Sequence, residues 1–265
     1  KALGASDVLA TIGLVVYAQT MQGNRERKLI AYQFIQLALG LGLWALIALV
    51  GPEGAFSPAG GSTPLEWFGG KVPVWVVLLA LFAASWAAVR VKFPMKDGNF
   101  VSFDISFALV GFFLVSPAAG TLLAAATTGV DIVYRFRQKA VPASELLGTL
   151  CGNLGNRLLR FGFAWIVYKQ AGGALPPTVA GQQTIPAVLA FLAYFVANNL
   201  FYYPKDYLKG ANMRAFLRGT FTEDLIHSFA ICAMGLLLSL VALGMGFGLA
   251  VLMGGFILSA SWLLA

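Results

Sequence analysis

Two arginines three residues apart, Arg157 and Arg160, are the side chains best suited in this chain to hold an anion or a polar ligand. Only the eight residues Phe161–Tyr168 separate Arg160 from Lys169. As a helix they rise about 12 Å, well short of the ~30 Å hydrocarbon core of a bilayer. With Lys169 at a membrane surface, both guanidinium groups fall inside the membrane, Arg157 near its middle. Asn153, Asn156, Arg157 and Arg160 follow spacings of three and four, so they share one helical stripe. Charge at that depth is costly, and each such residue is a candidate for function. The candidate counter-ions are Asp7 near the outer surface and Asp104 and Asp131 toward the cytoplasm, with Asn198, Asn199 and His227 in that same inner half. Two readings follow. The arginines pair with carboxylates and lock helices together, or they hold an anionic or polar ligand. The candidate ligand-binding or coupling residues are Arg157, Arg160, Asn153, Asn156, Asp131, Asp104 and His227.

Other chemistry is poorly provided for. His227 is the only histidine, and Cys151 and Cys232 are the only cysteines, both within apolar stretches. A bis-imidazole haem, a zinc site or an iron–sulfur cluster needs more ligands than that. The sequence shows no nucleophile elbow, no Walker motif and no paired catalytic carboxylates, so we expect neither an enzyme nor a bound cofactor. The net charge of +7 would suggest nucleic acid in a soluble protein, but its distribution along the chain has another explanation.

The elements that carry the stripe are apolar. Hydrophobic residues make up 59% and charged residues 11% of the chain, against about 25% charged in soluble domains. Hydropathy gives about nine spans: 2–21, 29–50, 72–90, 100–116, 118–134, 145–168, 185–203, 224–243 and 246–264. Thirteen of the 18 basic residues fall in alternate connections, in the groups Arg25–Lys28, Arg90–Lys96, Arg135–Lys139 and Lys205–Arg218. Only Lys1, Lys71 and Lys169 fall in the others. Lys and Arg are retained on the cytoplasmic side, so this predicts an all-α transmembrane bundle in a bacterial inner membrane, N-terminus outside and C-terminus cytoplasmic. It is read as one membrane domain, 1–265, made of three spans in 1–97 and a six-span block in 98–265.

Local signals refine the picture. Ser116–Gly120 reads as a tight hairpin between spans four and five, and Pro204 as the end of span seven. Trp67, Trp75 and Trp165 suit an outer aromatic belt. Gly152 and Gly155 suit close helix approach, and Gly244–Gly248 a tight turn. Residues 207–221 read equally as a basic loop or as a short amphipathic helix on the cytoplasmic surface. Lys at position 1 and the still-apolar Leu263-Leu264-Ala265 suggest a piece of a longer chain that continues on the cytoplasmic side.

Four stretches carry a resemblance to a known family: Asn99–Val110 with Ser116–Gly120, Thr128–Arg137, Leu158–Gly173 and Arg214–Ala230. From about Gly98 onward the chain resembles the polytopic N-terminal membrane region of bacterial cyclic-dinucleotide signalling proteins, whose output is an HD-GYP phosphodiesterase or a GGDEF cyclase. The resemblance implies a sensor and anchor that relays a signal to a cytoplasmic module, and a homodimer. The six-span block is also similar in layout to the substrate-binding components of energy-coupling-factor vitamin transporters, which implies a small ligand held among the helices. A third expectation is a non-catalytic subunit of a larger membrane complex. In every case the lipid bilayer is a partner and nucleic acid is not.

Overall fold

In the computed structural model, the described residues are 5–50, 66–67, 70–90, 93–94, 100–101, 103–139, 142–175, 184–208, 210 and 221–264. Among them are eight helices: α1 (Ala5–Val50), α2 (Val74–Arg90), α3 (Asp104–Leu114), α4 (Pro117–Lys139), α5 (Ala143–Gln170), α6 (Thr184–Leu208), α7 (Phe221–Met245) and α8 (Phe247–Leu264). Two two-residue antiparallel ladders, Glu66–Trp67 with Gly70–Lys71 and Phe93–Pro94 with Phe100–Val101, tie connections down. The expected amphipathic segment falls largely on 211–220, outside the described residues.

The exterior of this bundle is apolar, and its largely apolar interior also holds polar residues. Leu39, Leu49, Ile185, Val196, Leu200, Ile226, Leu252 and Phe256 are exposed, whereas Gln36, Asp104, Ser106, Thr127, Asn156, Arg160 and Ser239 are buried. Exposed apolar surface on that scale is unstable in water and suits a lipid environment. Among the described residues, three helices, over Gly23–Leu49, Thr184–Leu208 and Asp224–Met245, are long and apolar enough to cross a membrane. The chain is a helical membrane protein.

Several boundaries differ from the hydropathy reading. The first two expected spans are one continuous helix of 46 residues, about 69 Å long at 1.5 Å per residue. The polar run Gln22–Lys28 holds Arg, Glu and Lys and no proline, so it interrupts hydropathy without interrupting the helix. Within α1, Gly23–Leu49 is long and apolar enough to cross a membrane. The fourth expected span is the 11-residue α3, every residue of which is buried. At about 16 Å it is too short to cross, and it stands inside the bundle as a post. It stops where Ser116-Pro117 begins α4. The Ser116 hydroxyl accepts from the Ala119 amide at 3.1 Å, and proline occupies the first helical position, where no N–H is needed.

Pro204 lies inside α6 rather than at its end. A proline cannot donate to the carbonyl four residues back, which opens the helix ladder locally. Close by, the Phe201 carbonyl accepts from two α1 side chains, Tyr32 Oη at 2.9 Å and Gln36 Nε2 at 2.8 Å, which ties α6 to α1.

Helix α1 also packs closely on α5. A Cβ on Gly155 would overlap the backbone of Gln36 and Leu37, so only glycine lets the two backbones meet there. The turn between α7 and α8 is made at Gly246, whose φ of 94° favours glycine. Trp165 is buried, stacked near Tyr168 with ring centroids 6.2 Å apart, and is therefore a packing residue rather than part of a lipid-facing belt.

Candidate functional site

Helix α5 runs 28 residues, about 42 Å, and Arg157 stands near its middle. Three helices bring polar groups to the Arg157–Arg160 stripe. From α3, the Asp104 carboxylate meets Arg157 Nη2 at 3.3 Å. From α4, Thr128 Oγ1 accepts from Arg157 Nε at 3.0 Å. From α6 come Tyr194, Asn198 and Tyr202, which are spaced by four and so share a face. Asn198 Oδ1 accepts from Arg160 Nη1 at 2.6 Å and from Asn156 Nδ2 at 3.3 Å. Tyr202 Oη donates to Asn153 Oδ1 at 2.8 Å. The Arg160 guanidinium lies 4.8 Å from the centre of the Tyr194 ring, a cation–π contact that gains strength where water is excluded.

The burial of α3 explains how Asp104 reaches this depth. It is the first residue of its helix, where the helix dipole favours a carboxylate. Its backbone carbonyl accepts from Ser85 Oγ of α2 at 2.8 Å, which fixes the start of α3 against the neighbouring helix.

The cluster is incompletely satisfied. Arg157 Nη1, Arg160 Nε, Tyr194 Oη, Asn156 Oδ1 and Gln36 Oε1 are buried without a hydrogen-bond partner. The Tyr194 hydroxyl lies near the Arg157 guanidinium, but the pair does not reach hydrogen-bonding geometry. Native interiors leave few such groups, because each costs about 1–3 kcal/mol. Among the described side chains, Arg157 and Arg160 face the single carboxylate of Asp104; that of Asp7, the third candidate, lies outside them.

Of the candidates read from sequence, Asn153, Asn156, Arg157, Arg160 and Asp104 come together. Asp131 does not join them: its carboxylate pairs with Arg135 one turn along α4 at 2.7 Å. His227 reaches only the edge, its ring 6.3 Å from that of Phe103, the residue before Asp104. Asn199 Nδ2 bonds back to the Phe195 carbonyl of its own helix at 2.9 Å. Among the described residues, no group of three or more His, Cys, Asp or Glu side chains could hold a metal ion. Tyr194 and Tyr202 escaped the sequence reading, although their spacing of four around Asn198 was the available signal.

A cavity of about 280 Å³ adjoins the cluster, enclosed by α3, α5, α6 and α7. Phe112, Phe161, Tyr168, Phe191, Tyr194 and Cys232 line it. Tyr194 belongs to both: it lines the cavity, and its ring lies against Arg160. Phe161 packs edge-on to Tyr194 at 5.5 Å and continues the aromatic wall toward Phe112, 6.0 Å away.

Fold and site together define a helical membrane protein with a half-satisfied cationic cluster at membrane depth beside an apolar cavity. No protein-family model matches the chain, and no curated protein sequence matches it.

Proposed function

We propose that this chain is the membrane-embedded receptor region of a bacterial signalling protein, which binds a ligand within the bilayer and relays its presence to a cytoplasmic output. The observation that carries the reading is the set of buried donors left over by Arg157, Arg160 and Tyr194. A cluster that served only to lock helices would have closed those gaps with partners of its own. A ligand that fills them in one arrangement of α5 and α6 and not in another biases a two-state bundle, which is the physical content of sensing. Helix α7 touches both ends of such a relay: its Cys232 lines the cavity, and Gly246 joins it directly to α8.

The resemblance to cyclic-dinucleotide signalling proteins supports the choice of output, a cyclase or phosphodiesterase working as a dimer. The charge asymmetry supports a multi-pass arrangement in the inner membrane. It puts Arg25, Arg90, Arg135, Arg137 and Lys205 at the cytoplasmic face, Lys169 outside, and the end of α8 in the cytoplasm. The continuity of α1 argues against an outside N-terminus, because residues 5–22 run on along the helix axis past the basic group at Arg25. A second reading, a vitamin-type ligand-binding component of an uptake system, is favoured by the same cavity and differs in having no output module.

The test is Arg157→Leu introduced at the native locus, with cellular cyclic di-GMP as the readout. A change of several-fold, with the protein still present in the membrane, is the expected result. Unchanged cyclic di-GMP with loss of uptake of a small ligand would favour the second reading. Unchanged signalling with undiminished stability would remove both the ligand role and the ion-pair role of Arg157.

A further inference from the structure

The cavity and the cation cluster meet at one residue, and their chemistries differ sharply. Its walls are almost wholly apolar, built from Leu109, Phe112 and Phe113 of α3 and Phe161 of α5 on one side, and α6 and α7 on the other. Two of its lining residues, Val188 of α6 and Phe229 of α7, are also exposed at the outer surface. The cavity therefore opens sideways, between α6 and α7, at the level of the lipid chains. The two helices meet around this opening through ring pairs, Phe191 with Phe229 at 5.4 Å and Phe195 with Phe221 at 5.1 Å. Rings of that kind swing aside by side-chain rotation without movement of the helices.

The inner end differs. Tyr194 is 3% exposed, forms part of the cavity wall, and has a hydroxyl with no hydrogen-bond partner. Against its ring lies Arg160, with Nε unpartnered, and one turn away Arg157, with Nη1 unpartnered. The two arginine N–H groups lack acceptors and the Tyr194 hydroxyl lacks a partner, and among the described side chains the cluster carries one positive charge more than the Asp104 carboxylate balances. A neutral acceptor would satisfy hydrogen bonds but leave that charge. A carboxylate, which only accepts and offers about four lone-pair positions, answers both needs.

Size sets the body of the ligand. A cavity of about 280 Å³ lies at the small end of ligand cavities, which favours a body of one short alkyl chain.

We propose that the cleft between α6 and α7 binds a single-chain amphiphile with a monoanionic, carboxylate-type head. It enters from the bilayer, lays its chain along the aromatic wall, and sets its head at Tyr194 beneath Arg160 and Arg157. The proposal deepens the receptor reading and rests on it only for what binding controls, since occupancy can be measured apart from output.

The experiment uses the full natural protein in phosphatidylcholine nanodiscs, with radiolabelled decanoate as the probe and empty nanodiscs subtracted. Saturable binding of one decanoate per chain is expected. Unlabelled decanoate should compete at least tenfold better than decanol, and decyltrimethylammonium should not compete. Arg160→Gln should weaken binding about tenfold. Ala190→Phe, which fills the cavity from α6, should abolish it, with Ala187→Leu as a milder filling variant if the first lowers the melting temperature. Equal competition by decanol would overturn the anionic head. Undiminished binding in both filling variants would overturn the cavity, as would the absence of saturable binding. Displacement by phosphatidylglycerol in the nanodisc would assign the cleft to a two-chain membrane lipid and overturn the single-chain claim. Failure of the receptor reading looks different: decanoate binds as described, and cyclic di-GMP does not respond to it.

Discussion

The interior of this bundle holds two kinds of polar residue, and they behave differently. Around α3, α4 and α7, four buried hydroxyls each have a carbonyl to donate to. Ser106 Oγ donates across the interface to the Ile231 carbonyl at 2.9 Å. Thr121, Thr127 and Ser239 donate to carbonyls four residues back in their own helices at 2.6, 2.9 and 2.7 Å. Between α5 and α6 the polar groups are larger, two of them are charged, and donors and acceptors remain unsatisfied. Small hydroxyls satisfied by backbone are the ordinary glue of membrane helices. An excess of buried charge and open hydrogen-bond positions lowers stability, and such costs are typical of functional sites. The first region is satisfied within the bundle, and the second is the one to which we assign the ligand.

Three substitutions break or sharpen that contrast. The largest effect is expected from Asp104→Leu, which leaves Arg157 as an uncompensated buried cation. The cost is about 3–5 kcal/mol, or roughly 10 °C in melting temperature. The double variant Asp104→Leu with Arg157→Met should recover most of it, and the thermodynamic cycle of the four proteins measures the coupling. Additive losses in that cycle would mean that the 3.3 Å contact does not bind the two helices. A smaller loss is expected in the satisfied region. Ser106→Ala removes one interhelical bond, worth on average about 0.6 kcal/mol in membrane proteins. Thermal unfolding in nanodiscs checks it, and a shift as large as that of Asp104→Leu would erase the distinction between the two regions. The third substitution, at Arg160, should carry no penalty at all.

How much of this was legible in the sequence depends on the direction in which one looks. Along a helix axis, charge and hydropathy were informative. The short apolar run between Arg160 and Lys169 put both arginines at membrane depth, and the spacing of three and four put them on one face. Across the bundle, less could be read. Three aspartates were candidate partners, and only the packing of the short, fully buried α3 selects Asp104 and leaves Asp131 to Arg135. Hydropathy also divided α1 in two, because a polar run lowers the apolar average while Arg, Glu and Lys keep the helix going. Pro204 read as a helix end, and the tie that holds α6 nearby, Tyr32 and Gln36 on the Phe201 carbonyl, comes from some 165 residues away in sequence. The cavity left no linear signal, since its wall is assembled from four helices, one ring or methyl group at a time.

The most direct test of the central claim, that the α5–α6 cluster is a receiving site rather than a fastener, is the melting temperature of Arg160→Met in nanodiscs. Methionine fills similar space, removes one buried cation and its unpartnered Nε–H, and leaves the Arg157–Asp104 pair intact. The account predicts a melting temperature unchanged or raised by about 2–4 °C, the equivalent of up to ~1 kcal/mol. A fall of about 10 °C, the size expected for Asp104→Leu, would show that Arg160 fastens the helices and would contradict the account.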